Sequence, residues 1–301
     1  MHKHWLIILL LFSAANYSLA QNQQDGRTAT PAIPMVVRYP DPPALHSIQI
    51  YKFELIHRAL EVTRKEFGDY KEIPYAGAGG GQQRWAKLIN KADLLNVVWT
   101  SPGTPVAKAE VIPIPIDIKR GQLGYRVCLI NSNSPFKLDE AFNTGSLGSL
   151  KIAQEESWSD VEIYRNNKIE PMLGPNFLSL FDMLGFKRFD CLPLGVDEVD
   201  LIYNEKKARY PFLSIDTRLL IYYDFPLYLY VSKTHPLLAK RLQMGLTKMQ
   251  KSGEFDQLFK LYHPQDISSL NLRSRRVICL KSPFLDQSTQ CTQPLKYPEI
   301  N

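Results

Sequence analysis

The sequence lacks the short motifs that mark most nucleotide-binding and catalytic sites. Its 301 residues contain no Gly-Lys-Ser/Thr phosphate loop, no G-x-S-x-G and no H-E-x-x-H. The four cysteines form no C-x-x-C pair, and the six histidines are dispersed rather than grouped at metal-ligand spacing. These absences argue against a nucleotide-dependent, hydrolytic or metal-dependent enzyme. We therefore expect no catalytic residues, no cofactor and no metal.

Concentrated charge and long apolar runs are also lacking. The net charge is +6, but lysine and arginine are scattered along the chain, so we expect no nucleic-acid partner. Acidic groups such as Glu155/Glu156 and Asp197/Glu198/Asp200 are interpreted as solvated helix faces. With 45% hydrophobic residues, the chain is long enough for two medium domains with cores of their own.

The one apolar run near the start, Trp5 to Phe12, is too short to span a bilayer. It follows a basic start and precedes Ser18-Leu19-Ala20, which fits a signal-peptidase site before Gln21. We predict a signal peptide over 1–20, a disordered linker over 21–33 and export of a soluble protein to the periplasm. The alternative is an uncleaved membrane anchor.

Export changes how the cysteines are interpreted. Cys279 and Cys291 lie in a loop-rich tail with little core of its own, and we predict a disulfide between them. Cys128 and Cys191 lie in apolar, strand-like runs. For that pair, buried free thiols and a second disulfide remain equally open.

One glycine-rich stretch, PYAGAGGGQQRWAKL (74–88), precedes a predicted helix and suggests a phosphate loop. It ends in Gln82-Gln83-Arg84 rather than Gly-Lys-Ser/Thr, and the G-x-G-x-x-G spacing also fails. We interpret Gly77–Gly81 as a flexible loop at the rim of a cleft.

Strands and helices alternate at the beginning of the chain. Strand-like segments at 34–40, 71–77 and 94–99 are separated by helical patterns at about 47–67 and 82–90, which predicts parallel pairing in an α/β fold. The ending LYLYVSKTHPLLAKRLQMGLTKMQKSGEFDQLFKLY (227–262) contains a K-x-x-P-x-L helix start and an M-x-x-x-G-x-[FY] closing helix pair.

Together with Tyr39-Pro40 after the first strand and a strand-to-helix module in mid-chain, this order resembles a divergent member of the periplasmic solute-binding proteins of family 3, the amino-acid-binding class. The resemblance implies the two-lobe type II periplasmic-binding-protein fold, with ligand held between lobes that two hinge crossings join. It implies lobe one over 34–130 plus 228–263, lobe two over 131–227, crossings near Leu129–Asn133 and Phe225–Tyr230, and a C-terminal extension over 264–301.

The charge anchors of the resembled family are missing. Where the family has an arginine for the ligand carboxylate, WTSPGTPVAKAEVIPIPI (99–116) keeps Thr100, Ser101 and Thr104 but offers only Lys108 as a cation. Where the family has an aspartate for the ligand ammonium, the chain has Leu194. A free α-amino acid in the usual pose is therefore not expected, because a buried carboxylate without a cation is costly.

Other residues are candidates for ligand contact. Tyr39, Trp99 and Trp158 lie at strand ends or at a helix start, and aromatic faces suit sugars, aromatic compounds or cations, although core packing is equally open for each. Arg84 and Arg126 suit an anionic ligand, with a structural ion pair as the alternative. Thr100 completes the predicted site.

Three functions are weighed. The first is a periplasmic solute-binding protein, a monomer that captures a small molecule and works with an inner-membrane ABC permease or a sensor. The second is an enzyme on the same fold, which the missing motifs disfavour. The third is a degenerate binding-protein fold that acts as a protein-interaction module, motivated by the lost anchors and the basic tail NLRSRRVICLKSP (271–283).

Overall fold

The computed structural model describes residues 34–41, 47–77, 81–134, 136–263 and 267–286. The predicted signal peptide, the predicted linker and Cys291 lie outside these ranges and remain predictions. No helix within the described ranges is long and apolar enough to cross a membrane.

The first lobe contains a parallel pair of strands and a three-stranded antiparallel sheet. β1 and β2 pair in parallel, with Val37 opposite Glu72, which confirms the pairing predicted for the first strands. β11 lies between β3 and β4 and is antiparallel to both. The elements are β1 (Met35–Pro40), α1 (Ser47–Glu61), α2 (Arg64–Phe67), β2 (Tyr70–Tyr75), α3 (Gly81–Lys91), β3 (Val97–Thr100), β4 (Val111–Ile114), β11 (Tyr228–Ser232), α8 (Pro236–Ser252) and α9 (Glu254–Tyr262).

Close packing of α1 against α8 forms much of the first-lobe core. Leu55, Ile56 and Ala59 lie on one face of α1 at helical spacing and are fully buried. Gly245 allows the two helices to approach, because a Cβ there would overlap the backbone carbonyl of Ala59. The amphipathic pattern of 236–262 therefore produces the helix pair that the sequence predicts.

The second lobe is built around a sheet in the order β12-β10-β5-β8, with β9 also pairing with β5. β6 and β7 form a separate parallel pair. The elements are β5 (Tyr125–Asn131), α4 (Phe136–Thr144), β6 (Ala153–Glu155), α5 (Asp160–Asn166), β7 (Met172–Gly174), α6 (Phe177–Gly185), β8 (Leu192–Gly195), α7 (Val199–Lys206), β9 (Leu213–Ile215), β10 (Leu219–Tyr222) and β12 (Arg276–Cys279).

The chain passes between the two lobes at places that differ from the predicted lobe limits. β5, expected at the end of lobe one, is fully buried and makes its ladder hydrogen bonds with β8, β9 and β10 of the second sheet. The first passage therefore lies over 115–124, before β5, rather than near Leu129–Asn133. The second lies over 223–227. The chain enters the second lobe again after α9, because β12 pairs in parallel with β10.

A disulfide joins Cys128 on β5 to Cys191, which immediately precedes β8, with the two Cα atoms 5.1 Å apart. This decides between the two alternatives that the sequence left open. By loop-closure entropy, a bridge across 63 residues of sequence contributes about 4 kcal/mol. Cys279 is also disulfide-bonded, but Cys291 lies outside the described residues, so the Cys279–Cys291 pairing stays a prediction.

Candidate functional site

A cleft between the lobes forms the candidate site. Its inner part is a cavity of about 460 Å³, and an adjoining cavity of about 570 Å³ shares lining residues with it. The first passage and the second passage of the chain both contribute to the inner wall. The inner cavity is lined by Gly81, Gln82, Trp85, Trp99, Thr100, Ser101, Thr104, Leu123, Arg126, Ser157, Trp158, Ser159, Asp160, Glu198, Phe225 and Leu227.

Tryptophans from the two lobes form the apolar walls. Trp99 lies one residue before the end of β3 and packs edge-on against Trp85 of α3, with 5.9 Å between ring centroids. Trp158 lies just before α5 in the second lobe, 5.9 Å from the ring of Phe177. Of the candidate residues, Trp99 and Trp158 are thus brought to the same cavity. Trp85, which also lines this cavity, was not predicted from the sequence, although its position on α3 just after the glycine-rich turn could have indicated it.

Hydroxyl and amide groups of the first lobe form a connected set beside Trp99. Thr100 Oγ1 lies 3.1 Å from Gln82 Oε1 and 3.0 Å from Thr104 Oγ1. The Thr104 hydroxyl also accepts a hydrogen bond from the backbone N–H of Ala107 at 3.3 Å. Because these groups bond to one another, their positions are defined before any ligand arrives. Thr100, predicted as a site residue, lies at the cavity.

Arg126 lines the cavity but its charge is already paired. Its Nη2 lies 2.9 Å from Asp160 Oδ1, and its Nε donates to the Tyr223 hydroxyl at 2.9 Å. The Tyr223 hydroxyl in turn donates to Asp160. Burial disfavours the guanidinium charge, but Asp160 and Tyr223 outweigh it and raise the pKa of Arg126 above its ordinary value. The structural ion pair, one of the two alternatives, is the arrangement observed.

Two candidate residues do not lie at the cavity. Tyr39 is buried in the first-lobe core, stacked on Phe53 at 5.4 Å, and its hydroxyl donates to Glu72 at 3.3 Å. Arg84 is exposed on α3 and lines neither cavity. Strand alternation directs the Tyr39 side chain toward α1. Its position near the end of β1 did not by itself indicate this direction.

The glycine-rich turn is described only at its ends, since residues 78–80 lie outside the described ranges. Gly81, its last residue, lines both cavities, which agrees with a position at the cleft rim. On the other side of the rim, Lys108, the single cation of the 99–116 stretch, lies 3.5 Å from Glu162 of α5 in the second lobe.

A buried charge cluster lies beside the cavity, at the first passage between the lobes. The Lys119 ammonium donates to Asp197 and lies 3.3 Å from Nε2 of His263; both Lys119 and Asp197 are 5% exposed. Burial, followed by the charge of Lys119, lowers the pKa of His263 to about 4. The interpretation of Asp197 as part of a solvated helix face was wrong, because the β8–α7 turn points it into the interface.

Two further charges lie near the cavity: Glu198, which was interpreted from the sequence as part of a solvated helix face, and Lys52, which was not singled out. Glu198, next to Asp197, lines the cavity, and burial together with Asp197 raises its pKa. Lys52 of α1 places its ammonium 5.4 Å from the ring centroid of Trp99. Helical spacing puts Lys52 on the less apolar face of α1, and Lys52 itself lines neither cavity.

Within the described residues, no group of three or more histidine, cysteine, aspartate or glutamate side chains could hold a metal ion. The arrangement is that of a concave aromatic site with defined hydroxyls and few charges. Chemically, it can hold a small molecule by stacking, hydrogen bonds and charge pairing.

No model of a known protein family matches the sequence, and no curated protein matches it. Solved structures do match. One, described as the molecular and structural basis of glutathione import in Gram-positive bacteria via GshT and the cystine ABC importer TcyBC of Streptococcus mutans, is 10% identical over 77% of this chain and 96% of that chain, with a TM-score of 0.51.

Two other solved structures have TM-scores below 0.5. A substrate-binding protein of an amino acid ABC transporter is 15% identical over 76% of this chain and all of its own, with a TM-score of 0.47. A histidine kinase sensor domain with similarity to periplasmic binding proteins is 16% identical over 76% of this chain and 95% of its own, with a TM-score of 0.49. At such identities the likeness concerns the fold. The two-lobe α/β fold predicted from the sequence is confirmed, on the strength of the structure with the TM-score of 0.51.

Proposed function

We propose that this protein is a periplasmic solute-binding protein that captures a small polar molecule between its two lobes, for ABC-type uptake or for sensing. The observation that supports this most strongly is the cavity of about 460 Å³ between the lobes, to which each lobe contributes tryptophan and hydroxyl groups. Concave, largely apolar sites with a few placed polar groups are typical of small-molecule binding.

Capture is reversible and requires no covalent step. Trp99 and Trp158 belong to different lobes, so a ligand in contact with both rings favours the closed arrangement. A ligand shifts the lobes only by its differential affinity for the closed state. The passages over 115–124 and 223–227 serve as hinges. The exposed Lys108–Glu162 pair at the rim contributes at most about 1 kcal/mol, which leaves closure dependent on the ligand.

The partners follow from this role: a small-molecule ligand, and an inner-membrane ABC permease or sensor that recognises the closed form, with the binding protein itself a monomer. We propose binding rather than catalysis because Arg126 on the cavity wall is paired with Asp160, and Lys119 beside the cavity is paired with Asp197. Neither pair is poised for proton transfer to a substrate.

The alternative function, a protein-interaction module, relied partly on the basic tail. Arg275 of that tail is buried and donates to the backbone carbonyls of Asp216 and Leu219 at 2.6 and 3.0 Å. It holds β12 beside β10 and is not available to a partner. We therefore keep the interaction module as the second candidate, to be preferred only if the cleft binds no small molecule.

The test is a thermal-shift screen of residues 21–301 against amino acids, peptides, sugars, polyamines, organic acids and aromatic compounds. A ligand that binds the native state raises the melting temperature by mass action. We expect at least one class to raise it, and Trp99→Ala to remove the effect.

Phe186→Ala is the matched control, because this aromatic side chain is 77% exposed and lies away from both cavities. It should keep the full thermal shift. A native protein that is folded yet stabilised by no compound, together with a specific protein partner in pull-down, would favour the interaction module.

A further inference from the structure

The buried charge cluster at the first passage contacts both lobes. Lys119 lies on the passage, Asp197 lies in the turn before α7 of the second lobe, and His263 directly follows α9 of the first lobe. The Lys119 ammonium donates to the Asp197 carboxylate and lies 3.3 Å from Nε2 of His263. All three residues are at most 7% exposed, so water screens these contacts little. One side chain of the passage therefore joins a group of the first lobe to a group of the second.

The position of Lys119 is fixed by the backbone of the passage. The Asp117 carboxylate accepts hydrogen bonds from the backbone N–H groups of Lys119 and Gly121, at 2.9 and 2.6 Å. It also accepts from the N–H of Leu227, at 2.9 Å, and so ties the first passage to the second. Arg120 (φ 53°) and Gly121 (φ 80°) both adopt the left-handed region, which turns the chain sharply after Lys119. Because these constraints hold Lys119 to the passage, a hinge movement also moves the Lys119 ammonium.

The surroundings of His263 determine which of its ring nitrogens carries the proton. Nδ1 lies 3.1 Å from the carbonyl oxygen of Phe259, which can only accept, so Nδ1 is the N–H donor. The lone pair of Nε2 then faces the Lys119 ammonium. The ring is stacked on Phe259 at 4.1 Å and meets the edge of Tyr51 at 4.7 Å, which limits its rotation. A second proton, on Nε2, would place two donors and two positive charges against each other.

We propose that His263, Lys119 and Asp197 form a proton-sensitive latch, which holds the two lobes in the arrangement observed and releases them when His263 takes up a proton. The other titratable or charged groups that act on or face His263 are Lys52 and Tyr51, both on α1. Asp197 favours the imidazolium, but burial and the charge of Lys119 act more strongly against it. The latch does not depend on which ligand the cleft binds, and so goes beyond the proposed function.

The direction of the pH effect follows from the two environments of His263. In the observed arrangement, burial and the charge of Lys119 lower the pKa of His263 to about 4. When the lobes separate, the ring leaves Lys119 and its pKa returns toward the ordinary value of about 6.5. The observed arrangement is therefore fully favoured above pH 6.5 and loses this preference as the pH falls toward 4. From pH 7.5 to pH 5, the ratio of separated to observed arrangement should rise by about thirtyfold.

The experiment measures the distance between the lobes of residues 21–301 without any ligand. Spin labels are attached to Lys87→Cys on α3 and to Phe186→Cys after α6, because both side chains are exposed and neither lines a cavity. No cysteine among the described residues is free to take a label. Double electron–electron resonance records the distance at pH 7.5 and pH 5, and circular dichroism at each pH verifies that the chain is folded. We expect one distance at pH 7.5 and a second, longer distance at pH 5.

His263→Gln should abolish the response to pH. The glutamine amide oxygen can still accept a hydrogen bond from Lys119 but takes up no proton in this range, so the distance should be the same at both pH values. His57→Gln is the matched control. His57 of α1 also contacts a carboxylate, that of Glu72 at 2.7 Å, but both residues belong to the first lobe. This control should respond to pH as the native chain does.

The double variant Lys119→Met/Asp197→Leu removes both buried charges together, so neither is left unpaired. It should show the longer distance already at pH 7.5. His263→Gln, which leaves both charges in place, decides the outcome where the double variant does not fold.

Equal separation at pH 5 in His263→Gln and in the native chain would overturn the inference, because acidic groups such as Asp197 and Glu198 would then be responsible. A native chain that keeps one distance at both pH values would overturn it as well. A thermal-shift screen without any hit would count against the proposed function alone, since the distance is measured without ligand.

Discussion

The two walls of the cleft use charge in opposite ways. On the second-lobe side, Arg126 is buried against Asp160 and Tyr223, and the guanidinium charge is paired with the Asp160 carboxylate. On the first-lobe side, Trp99 and Thr100 define the surface, and Lys52, behind Trp99, has no ion-pair partner among the described residues and lies 5.4 Å from the centroid of the Trp99 ring. The difference teaches that a charged residue at a cavity is a candidate ligand contact only when the protein has not already neutralised it.

Removing the cation that pairs with Asp160 in the second-lobe wall should have the largest effect on stability. Arg126→Met leaves the Asp160 carboxylate buried without a cation, and we expect the free energy of unfolding to fall by about 3–5 kcal/mol. Urea denaturation measures this. Arg165→Met, which removes an exposed guanidinium from its pair with Glu170, should have a far smaller effect, because solvent screens an exposed ion pair. Equal losses in the two variants would mean that the Arg126 network is no more than a surface ion pair.

Removing the Cys128–Cys191 disulfide should have the next largest effect on stability. β5 carries both Arg126 and Cys128, so the Cys128–Cys191 bridge holds the strand that presents the paired wall. The double variant Cys128→Ala/Cys191→Ala should lose about 2–4 kcal/mol of unfolding free energy. The measurement is denaturation of both proteins under identical oxidising conditions. An unchanged midpoint in the double variant would show that the bridge does not stabilise the second lobe.

The buried cluster at the first passage should make the protein sensitive to acid. The pKa of His263 is lowered to about 4 by burial and by Lys119, while Asp197 and Lys52 are the other charges that act on it. Because the unfolded chain binds this proton more readily, stability should be lost as the pH falls from about 6.5 toward 4.

The expected size of this acid effect is on the order of 3 kcal/mol. His263→Gln should flatten the dependence over this window, as measured by melting temperature at a series of pH values. A variant whose acid profile matches that of the native chain would show that His263 is not the group responsible.

Removing the Lys52 ammonium should have the smallest effect on stability, and one of opposite sign. Lys52→Met keeps the stem and removes a poorly compensated ammonium, so stability should be unchanged or rise by up to about 1 kcal/mol. The same substitution at Lys119, which strips Asp197 of its partner, should cost about 3–5 kcal/mol. Denaturation of the two methionine variants therefore compares a lysine that is paired with a buried carboxylate, Lys119, with one that has no ion pair among the described residues, Lys52. A large loss in Lys52→Met would mean that its contact with Trp99 is structural.

Much of the fold could be predicted because its signals are local. The amphipathic pattern of 236–262 and the early alternation of strands and helices correspond to α8, α9 and the parallel β1–β2 pair. The lobe limits were less accurate, because β5 pairs entirely within the second sheet and β12 returns to it from the tail. Strand partners far apart in sequence leave no local pattern that assigns them to one lobe.

For the site, the sequence by itself singled out aromatic and hydroxyl side chains at strand ends and at a helix start, and Trp99, Thr100 and Trp158 are at the cavity. It also determined that the 99–116 stretch has no arginine and that Leu194 stands where the resembled family has an aspartate. Only the tertiary structure decided which charges are neutralised: Arg126 by Asp160, and Lys119 by Asp197. The reason is that a pKa and an ion pair depend on burial and on separations of a few ångströms between distant segments, which residue order does not specify.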